Sequence, residues 1–308
     1  MIQLLMSGTS ETPPFDVIII GGSYSGLSAA LALGRARRNV LVIDASDPCN
    51  ARVPHSHNLL THDGVPPRVL RSMARADVAK YPTVQFYDGR AEELGGTNGS
   101  FAVRTAEGLT HRGRKLLLAL GVRDELPPIK GLAECWGISA AACPFCHGYE
   151  VRDQRLVVIG NTPETIHYAK LIHNWSDRLA VCTNGPSEQN VEHLSALQQE
   201  GITVVETPIS EVLHDQGQVK ALVFADGSRY DADALFLRST TTIAEAFTAI
   251  LGLERTVLGL LKVDHMQQTN VAGVFASGDC TTPMRSLTTA MATGTMAGAS
   301  ITHALMNT

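Results

Sequence analysis

A short apolar run, Phe15-Asp16-Val17-Ile18-Ile19-Ile20, passes directly into Gly21-Gly22-Ser23-Tyr24-Ser25-Gly26. β-Branched side chains without polar alternation are the pattern of a strand covered on both faces, as in a parallel sheet. Leu27 to Arg38 then reads as a helix, and Asn39 to Ile43 as a second strand that ends at Asp44. Strand, glycine turn, helix and strand in that order make a βαβ unit. In the pattern G-x-G-x-x-G the first glycine permits the tight turn and the last lets the helix pack on the strand. The helix N-terminus then faces a pyrophosphate. Ser23 stands at the middle glycine but keeps a small side chain and an N–H. Asp44 lies 18 residues beyond Gly26, at the strand end where an acid accepts ribose hydroxyls.

A chain of 308 residues is long enough for two such units. The second begins at Arg155-Leu156-Val157-Val158-Ile159-Gly160, continues as a helix from about Pro163 to Trp175, and reaches its next strand at Arg178–Cys182. Leu126–Gly131 and Ser239–Thr242 read as the two crossings between domains, and residues 1–14 as a loose arm. After the second crossing come a strand at Gly273–Ala276, the pair Gly278-Asp279 and a last helix from about Leu287 to Leu305. The fold class expected is α/β, with two Rossmann-like, three-layer ββα nucleotide-binding domains, the second inserted into the first. The first domain takes 1–124 and 243–308, and the insert takes 125–242.

Composition fits this and excludes other classes. Hydrophobic residues are 44% and charged residues 18%, so disorder is not the main state. With 25 Lys and Arg against 30 Asp and Glu, the net charge is −5, the wrong sign for a nucleic-acid binder. No stretch reaches the length needed to cross a bilayer. The start, Met-Ile-Gln-Leu-Leu-Met-Ser, has no basic segment and too short an apolar run for a signal peptide, so the expected location is the cytoplasm.

Six cysteines in a chain this long are not a disulfide scaffold. Cys143-Pro144-Phe145-Cys146-His147 is the sharpest local feature. C-x-x-C spacing allows a reversible disulfide within one turn, and His147 can supply or take the proton that thiol–disulfide exchange needs. Two rivals share the motif. C-x-x-C-H is also a haem-attachment pattern, which needs export. Cys135, Cys143, Cys146 and His147 would make four zinc ligands, though no second C-x-x-C pair accompanies them. His55, His57 and His62 invite a metal reading too, but a loop lining the cofactor is preferred and no metal is expected. Cys49, Cys182 and Cys280 read as small core residues, as do Met284, Met291 and Met296 in the last helix. Trp136 and Trp175 read as core or interface.

Together the first loop, the Gly-Asp pair near the end and a C-x-x-C opening the inserted fold resemble the low-molecular-weight thioredoxin reductase family. The resemblance runs from Phe15 to about Leu305. Cys-Pro-Phe-Cys-His-Gly-Tyr-Glu and Gly-Gly-Ser-Tyr-Ser-Gly-Leu-Ser-Ala-Ala look most like one subgroup. It holds thioredoxin-reductase-like flavoproteins and the dithiol oxidases that close disulfides in gliotoxin- and holomycin-type metabolites. The resemblance implies an FAD-dependent dithiol/disulfide oxidoreductase and a homodimer. It implies that Gly21, Gly22, Ser23, Gly26 and Asp44 hold the adenosine diphosphate part of FAD, and that Gly278 and Asp279 bind near the ribityl chain. Cys146 would then exchange electrons with the flavin and Cys143 would meet the substrate sulfur. The implied substrate is a thioredoxin-like protein or a small dithiol or disulfide.

Three places depart from the family pattern. His147 stands where the common reductases carry an acid. Arg285-Ser286-Leu287 only partly matches the Arg-Gln-Ala beside the isoalloxazine. In the second nucleotide loop, Gly160-Asn161-Thr162-Pro163-Glu164-Thr165, a branched residue and a negative charge stand where phosphate should approach, and no Arg or Lys follows at Thr183–Pro186. This argues against ordinary NADPH use and leaves a second flavin, or nothing, at that site. Reduced ferredoxin, another flavin or the dithiol substrate itself would then be the electron donor. An NADPH-dependent reductase and an oxygen-dependent dithiol oxidase stand as the alternatives. A nucleotide-binding sensor is disfavoured because it would not need an intact C-x-x-C-H.

Overall fold

In the computed structural model, which describes residues 13–187 and 191–306, the expected βαβ unit opens the fold. The arm expected at 1–14 lies, through residue 12, outside the described residues. Strand β1 (Phe15–Ile20) leads through the glycine loop into α1 (Tyr24–Arg35), β2 (Val40–Asp44), α2 (Pro67–Ala79) and β3 (Val84–Asp88). A meander follows: β4 (Ala91–Thr97), β5 (Ser100–Thr105) and β6 (Thr110–Leu118).

The chain continues through β7 (Arg123–Glu125), α3 (Leu132–Cys135), β8 (Ala140–Ala141) and α4 (Pro144–His147). The second βαβ unit is β9 (Leu156–Ile159), α5 (Pro163–His173) and β10 (Leu179–Cys182). Then come α6 (Val191–Gln199), β11 (Thr203–Val205), an antiparallel set of β12 (Ile209–Asp215), β13 (Gln218–Phe224) and β14 (Arg229–Asp231), and β15 (Ala234–Leu237). The last elements are β16 (Thr240–Thr242), α7 (Glu245–Leu251), β17 (Val274–Ala276) and α8 (Leu287–Met306).

Two compact units result. Among the described residues, one comprises 13–51, 67–123 and 242–306, the other 52–66, 124–187 and 191–241. Arg52–Pro66, which lies within the stretch the sequence reading gave to the first domain, groups with the second unit.

The first unit is built on a sheet ordered β3-β2-β1-β6-β5-β4, with β17 also paired to β6. Its β1–β2, β1–β6, β2–β3 and β6–β17 pairs are parallel, and its β4–β5 and β5–β6 pairs antiparallel. Side chains alternate across it. Val17, Ile19, Val40 and Val42 face α1 and α8, while Ile18, Ile20, Leu41 and Ile43 pack with Phe101, Val103 and Phe247 on the other face. Burial on both faces is why β1 and β2 read as continuous apolar runs. Strand β4, absent from the sequence reading, carries Ala-Glu-Glu-Leu-Gly-Gly-Thr and owes its form to pairing with β5 from Ala91↔Thr105 to Thr97↔Ser100.

The second unit repeats the plan with the parallel sheet β11-β10-β9-β15-β8 and the separate sheet β12-β13-β14. Both units are Rossmann-like. Among the described residues, no helix is long and apolar enough to cross a membrane.

Candidate active site

Helix α1 starts at Tyr24, three residues before the start expected at Leu27, so the glycine loop is the helix N-terminus itself. Its first turn holds no acidic residue, and the Ser23 side chain makes no capping hydrogen bond. The orphan N–H groups of this turn suit an external anion. Only glycine permits the close approach. A Cβ on Gly26 would stand 1.9 Å from the Gly21 carbonyl oxygen, and one on Gly21, at φ +108°, 2.1 Å from that of Ala119. Asp44 closes β2 and is 8% exposed. One carboxylate oxygen accepts the Ser46 N–H at 3.2 Å. The other, Oδ2, is buried without a hydrogen bond and 3.5 Å from the Arg71 guanidinium. A Cβ on Gly22 would come within 2.9 Å of that oxygen. A bare Cα beside an unsatisfied buried carboxylate is a cradle for a hydroxyl donor, so these residues fit the adenosine diphosphate half of a dinucleotide.

The far end of the chain returns to the same loop. Ser277 and Ser25 share a hydrogen bond of 2.5 Å, and a Cβ on Gly278 would meet Ser25 at 2.9 Å. Asp279 has Arg285 Nε at 3.6 Å and the Cys49 sulfur at 4.0 Å. Gly278 thus lies against Ser25 of the glycine loop, and Asp279 pairs with Arg285, all within the first unit. Ser286 is already engaged. Its hydroxyl accepts the Thr289 N–H at 3.0 Å and caps α8, which Leu287 begins. Cys182 and Cys280 are buried as expected, but Cys49 is exposed, because it lies in the loop after β2 and not on the strand. Met284 and Met296 also depart from the core assignment, at 71% and 40% exposed. The first precedes α8, and the second lies off the helix face that packs on α1.

In the second unit Cys143 and Cys146 are joined as a disulfide, with Cα atoms 5.3 Å apart. Pro144 at the first helical position and Gly148 at the end confine α4 to a single turn. A Cβ on Gly148 would strike the Trp175 ring at 2.9 Å, and Phe145 stands edge-on to the same ring with centroids 5.5 Å apart. Trp175 is therefore the floor of the turn. Both cysteines and His147 are half-buried. Burial pushes the His147 imidazole below its ordinary value; Glu150 opposes this and His57 reinforces it. His147 lines a cavity of about 90 Å³ with Pro54, His57, Ile138, Glu150 and Phe236.

The segment 52–66 reaches this turn. Asn58 donates through Nδ2 to the Phe145 carbonyl, and its N–H reaches Asp63 at 2.8 Å. His57 has Asp63 at one ring nitrogen and Glu150 at the other, each at 3.4 Å. His55 instead faces the Gly64 carbonyl at 2.9 Å, and His62 the Thr61 hydroxyl at 2.8 Å. The three histidines do not converge. Among the described residues no cluster of three or more His, Cys, Asp or Glu side chains is arranged for a metal. The histidine-rich wording drew attention to His57, but nothing in the sequence marked Asn58 or Asp63 as neighbours of the disulfide.

The second nucleotide loop closes on itself. Thr162 is the N-cap of α5, and its N–H donates to Thr165 Oγ1 at 3.1 Å. A Cβ on Gly160 would meet the same hydroxyl at 2.7 Å. Asn161 is tied through Nδ2 to the Pro186 carbonyl at 2.9 Å. Glu164 sits in the first turn, its carboxyl held below the usual carboxylate range by hydrogen bonds from Thr162 and the backbone. Arg238, which the sequence reading passed over, lies 5.3 Å from the Tyr168 ring centre and acts electrostatically on Glu164.

Comparison with known proteins matches residues 15–294 to the pyridine nucleotide-disulphide oxidoreductase family. The chain is 32% identical over 304 residues to the thioredoxin reductase sirT of Leptosphaeria maculans, covering 93% of each chain. It is 30% identical over 305 residues to the thioredoxin reductase aclD of Aspergillus oryzae, covering 95% of this chain and 97% of the other. A solved oxidoreductase from Agrobacterium tumefaciens superposes with a TM-score of 0.90 at 38% identity, covering 96% of this chain and 99% of that one. The chain is a member of the pyridine nucleotide-disulphide oxidoreductase family, a flavoprotein disulfide oxidoreductase of thioredoxin reductase type.

Proposed function

We propose that the protein moves two electrons between a dithiol or disulfide substrate and FAD through Cys143 and Cys146, without NADPH as the ordinary donor. One observation carries this: a disulfide on a half-buried single turn, followed at once by an imidazole whose protonated form burial disfavours. Gly21, Gly22, Ser23, Gly26 and Asp44 would hold the adenosine diphosphate end of FAD, with Gly278, Asp279 and Arg285 at the ribityl side. FAD, when bound, supplies a two-electron acceptor and donor. The chain's own residues handle the sulfur and the proton. A substrate thiol gives its proton to His147, its sulfur bonds to Cys143, and the Cys143–Cys146 bond breaks with the electron pair on Cys146. A second substrate thiol then displaces Cys143 and closes the substrate disulfide.

The substrate is a small dithiol or a thioredoxin-like protein. Electrons enter from that dithiol, from reduced ferredoxin or from another flavin. Thiol titration tests the pair. Oxidised and dithionite-reduced protein should differ by about two thiols, the content of one disulfide. Cys143→Ser should abolish turnover of dithiols while FAD stays bound, and undiminished turnover in that variant would remove the pair from the mechanism.

A further inference from the structure

His57 occupies an unusual position for a loop histidine. An acceptor stands at each ring nitrogen, Asp63 at Nδ1 and Glu150 at Nε2, both at 3.4 Å. The ring is held in place from the side, since the next residue, Asn58, is fixed at φ +62° with its side chain on the Phe145 carbonyl and its N–H on Asp63. Segment 52–66 therefore grips the disulfide turn at Phe145 and just beyond it at Glu150. The same cavity is lined by His57, His147 and Glu150.

We propose that His57 is a positioning residue for the disulfide site: by pairing with Glu150 it offsets that carboxylate's charge beside His147 and so keeps His147 free to accept the substrate proton. This rests on the exchange reading above. The groups facing His147 have opposite effects. Glu150 favours its protonation, while burial and His57 oppose it. His55 lines the same cavity, with its Nδ1 at the Gly64 carbonyl. Asp63 stands at the other ring nitrogen of His57 and is 67% exposed, so it anchors the ring from solvent. Without His57 beside it, Glu150 acts on His147 unopposed. His147 then binds its proton more tightly and loses its role as base at the acid end of the pH range.

The test uses dithiothreitol as the dithiol probe on the full protein. Its thiol loses a proton to His147, its sulfur bonds to Cys143, and Cys146 leaves as thiolate. The probe's second thiol then closes its ring, so the probe is oxidised and the protein disulfide reduced by two electrons. Opening is trapped with iodoacetamide and counted by mass, from pH 5.5 to 8.5 in roughly half-unit steps. In His57→Gln the acid limb of the opening rate should move up by about 0.5–1 pH unit, a loss of roughly threefold to tenfold near pH 6, with rates meeting wild type at the alkaline end. His57→Arg, which places a permanent cation beside Glu150, should return the limb toward wild type. A loss by one factor at every pH, or no shift in His57→Gln, would overturn the proposal, as would a His57→Arg limb that stays with His57→Gln. Melting temperature and FAD content identify a variant that has not folded, and Asp63→Asn then serves as the second variant, expected to move the limb the same way by a smaller step. If the exchange reading itself is wrong, Cys143→Ser keeps its dithiol turnover. If only the role of His57 is wrong, that turnover is lost while the pH profiles coincide.

Discussion

At Gly26 a single hydrogen separates a working turn from a blocked one. A methyl group there would stand 1.9 Å from a backbone carbonyl, which has no rotamer to swing away. Either helix α1 lifts off β1 or the loop opens, and overpacking of this kind costs about 1–3 kcal/mol. Gly26→Ala should therefore lose most of its flavin absorbance relative to protein absorbance after gel filtration, together with a lower melting temperature. A variant that keeps both at wild-type values would show that the loop does not hold the cofactor. The conservative-looking Ser23 differs in kind. Its side chain makes no capping bond, so its smallness matters more than its hydroxyl.

Among the elements, α1 and α5 start from similar sequence but present opposite N-termini. The α1 turn has no acid and leaves its N–H groups to a ligand, whereas α5 caps itself through Thr162 and Thr165 and adds the Glu164 carboxylate. A helix N-terminus whose donors are already bonded and whose field is offset by an acid has little left for a pyrophosphate. Losing two charge-assisted contacts of about 1.5–3 kcal/mol each weakens binding on the order of a hundredfold or more. NADPH and NADH share that loop, so both should reduce the flavin slowly in anaerobic stopped-flow mixing. Rapid, saturable bleaching at micromolar NADPH would return the protein to the ordinary reductase reading. Helix α8 shows another use of small residues. Gly294 and Gly298 face α1 so closely that a Cβ would meet Ser25 at 2.1 Å and Ala29 at 2.8 Å, which lets α8 lie against α1.

For the whole molecule, the first unit is assembled from three separate stretches of chain, and its proposed cofactor residues come from both the first and the last. A ligand that binds only the folded form stabilises it by mass action, about 2.7 kcal/mol at a hundredfold excess over its Kd. Protein stripped of flavin should accordingly melt roughly 5–10 °C lower than protein resupplied with FAD, read by scanning calorimetry or circular dichroism. Adding FMN, which lacks the adenosine half expected at Asp44, should recover much less. Equal recovery by FMN would move the cofactor's anchor away from the Gly21–Gly26 loop.

The sequence by itself determined the parallel strands, the glycine loop, the acid at the end of β2 and the cysteine pair, because each depends on residues a few positions apart. Apolar runs such as Val17–Ile20 state their own burial, and C-x-x-C spans one turn whatever surrounds it. Strand β4 was invisible for the opposite reason, since Glu92, Glu93, Gly95 and Gly96 have no strand preference until β5 supplies the pairing. Only the tertiary structure decided that Ser277 returns to Ser25, that Cys49 lies exposed beside Asp279, and that segment 52–66 grips the disulfide turn. Asn58 and Phe145 are 87 residues apart, and nothing local at either position encodes the other. Their meeting depends on how the chain packs between them, and so does the position of His57 beside the proposed proton acceptor.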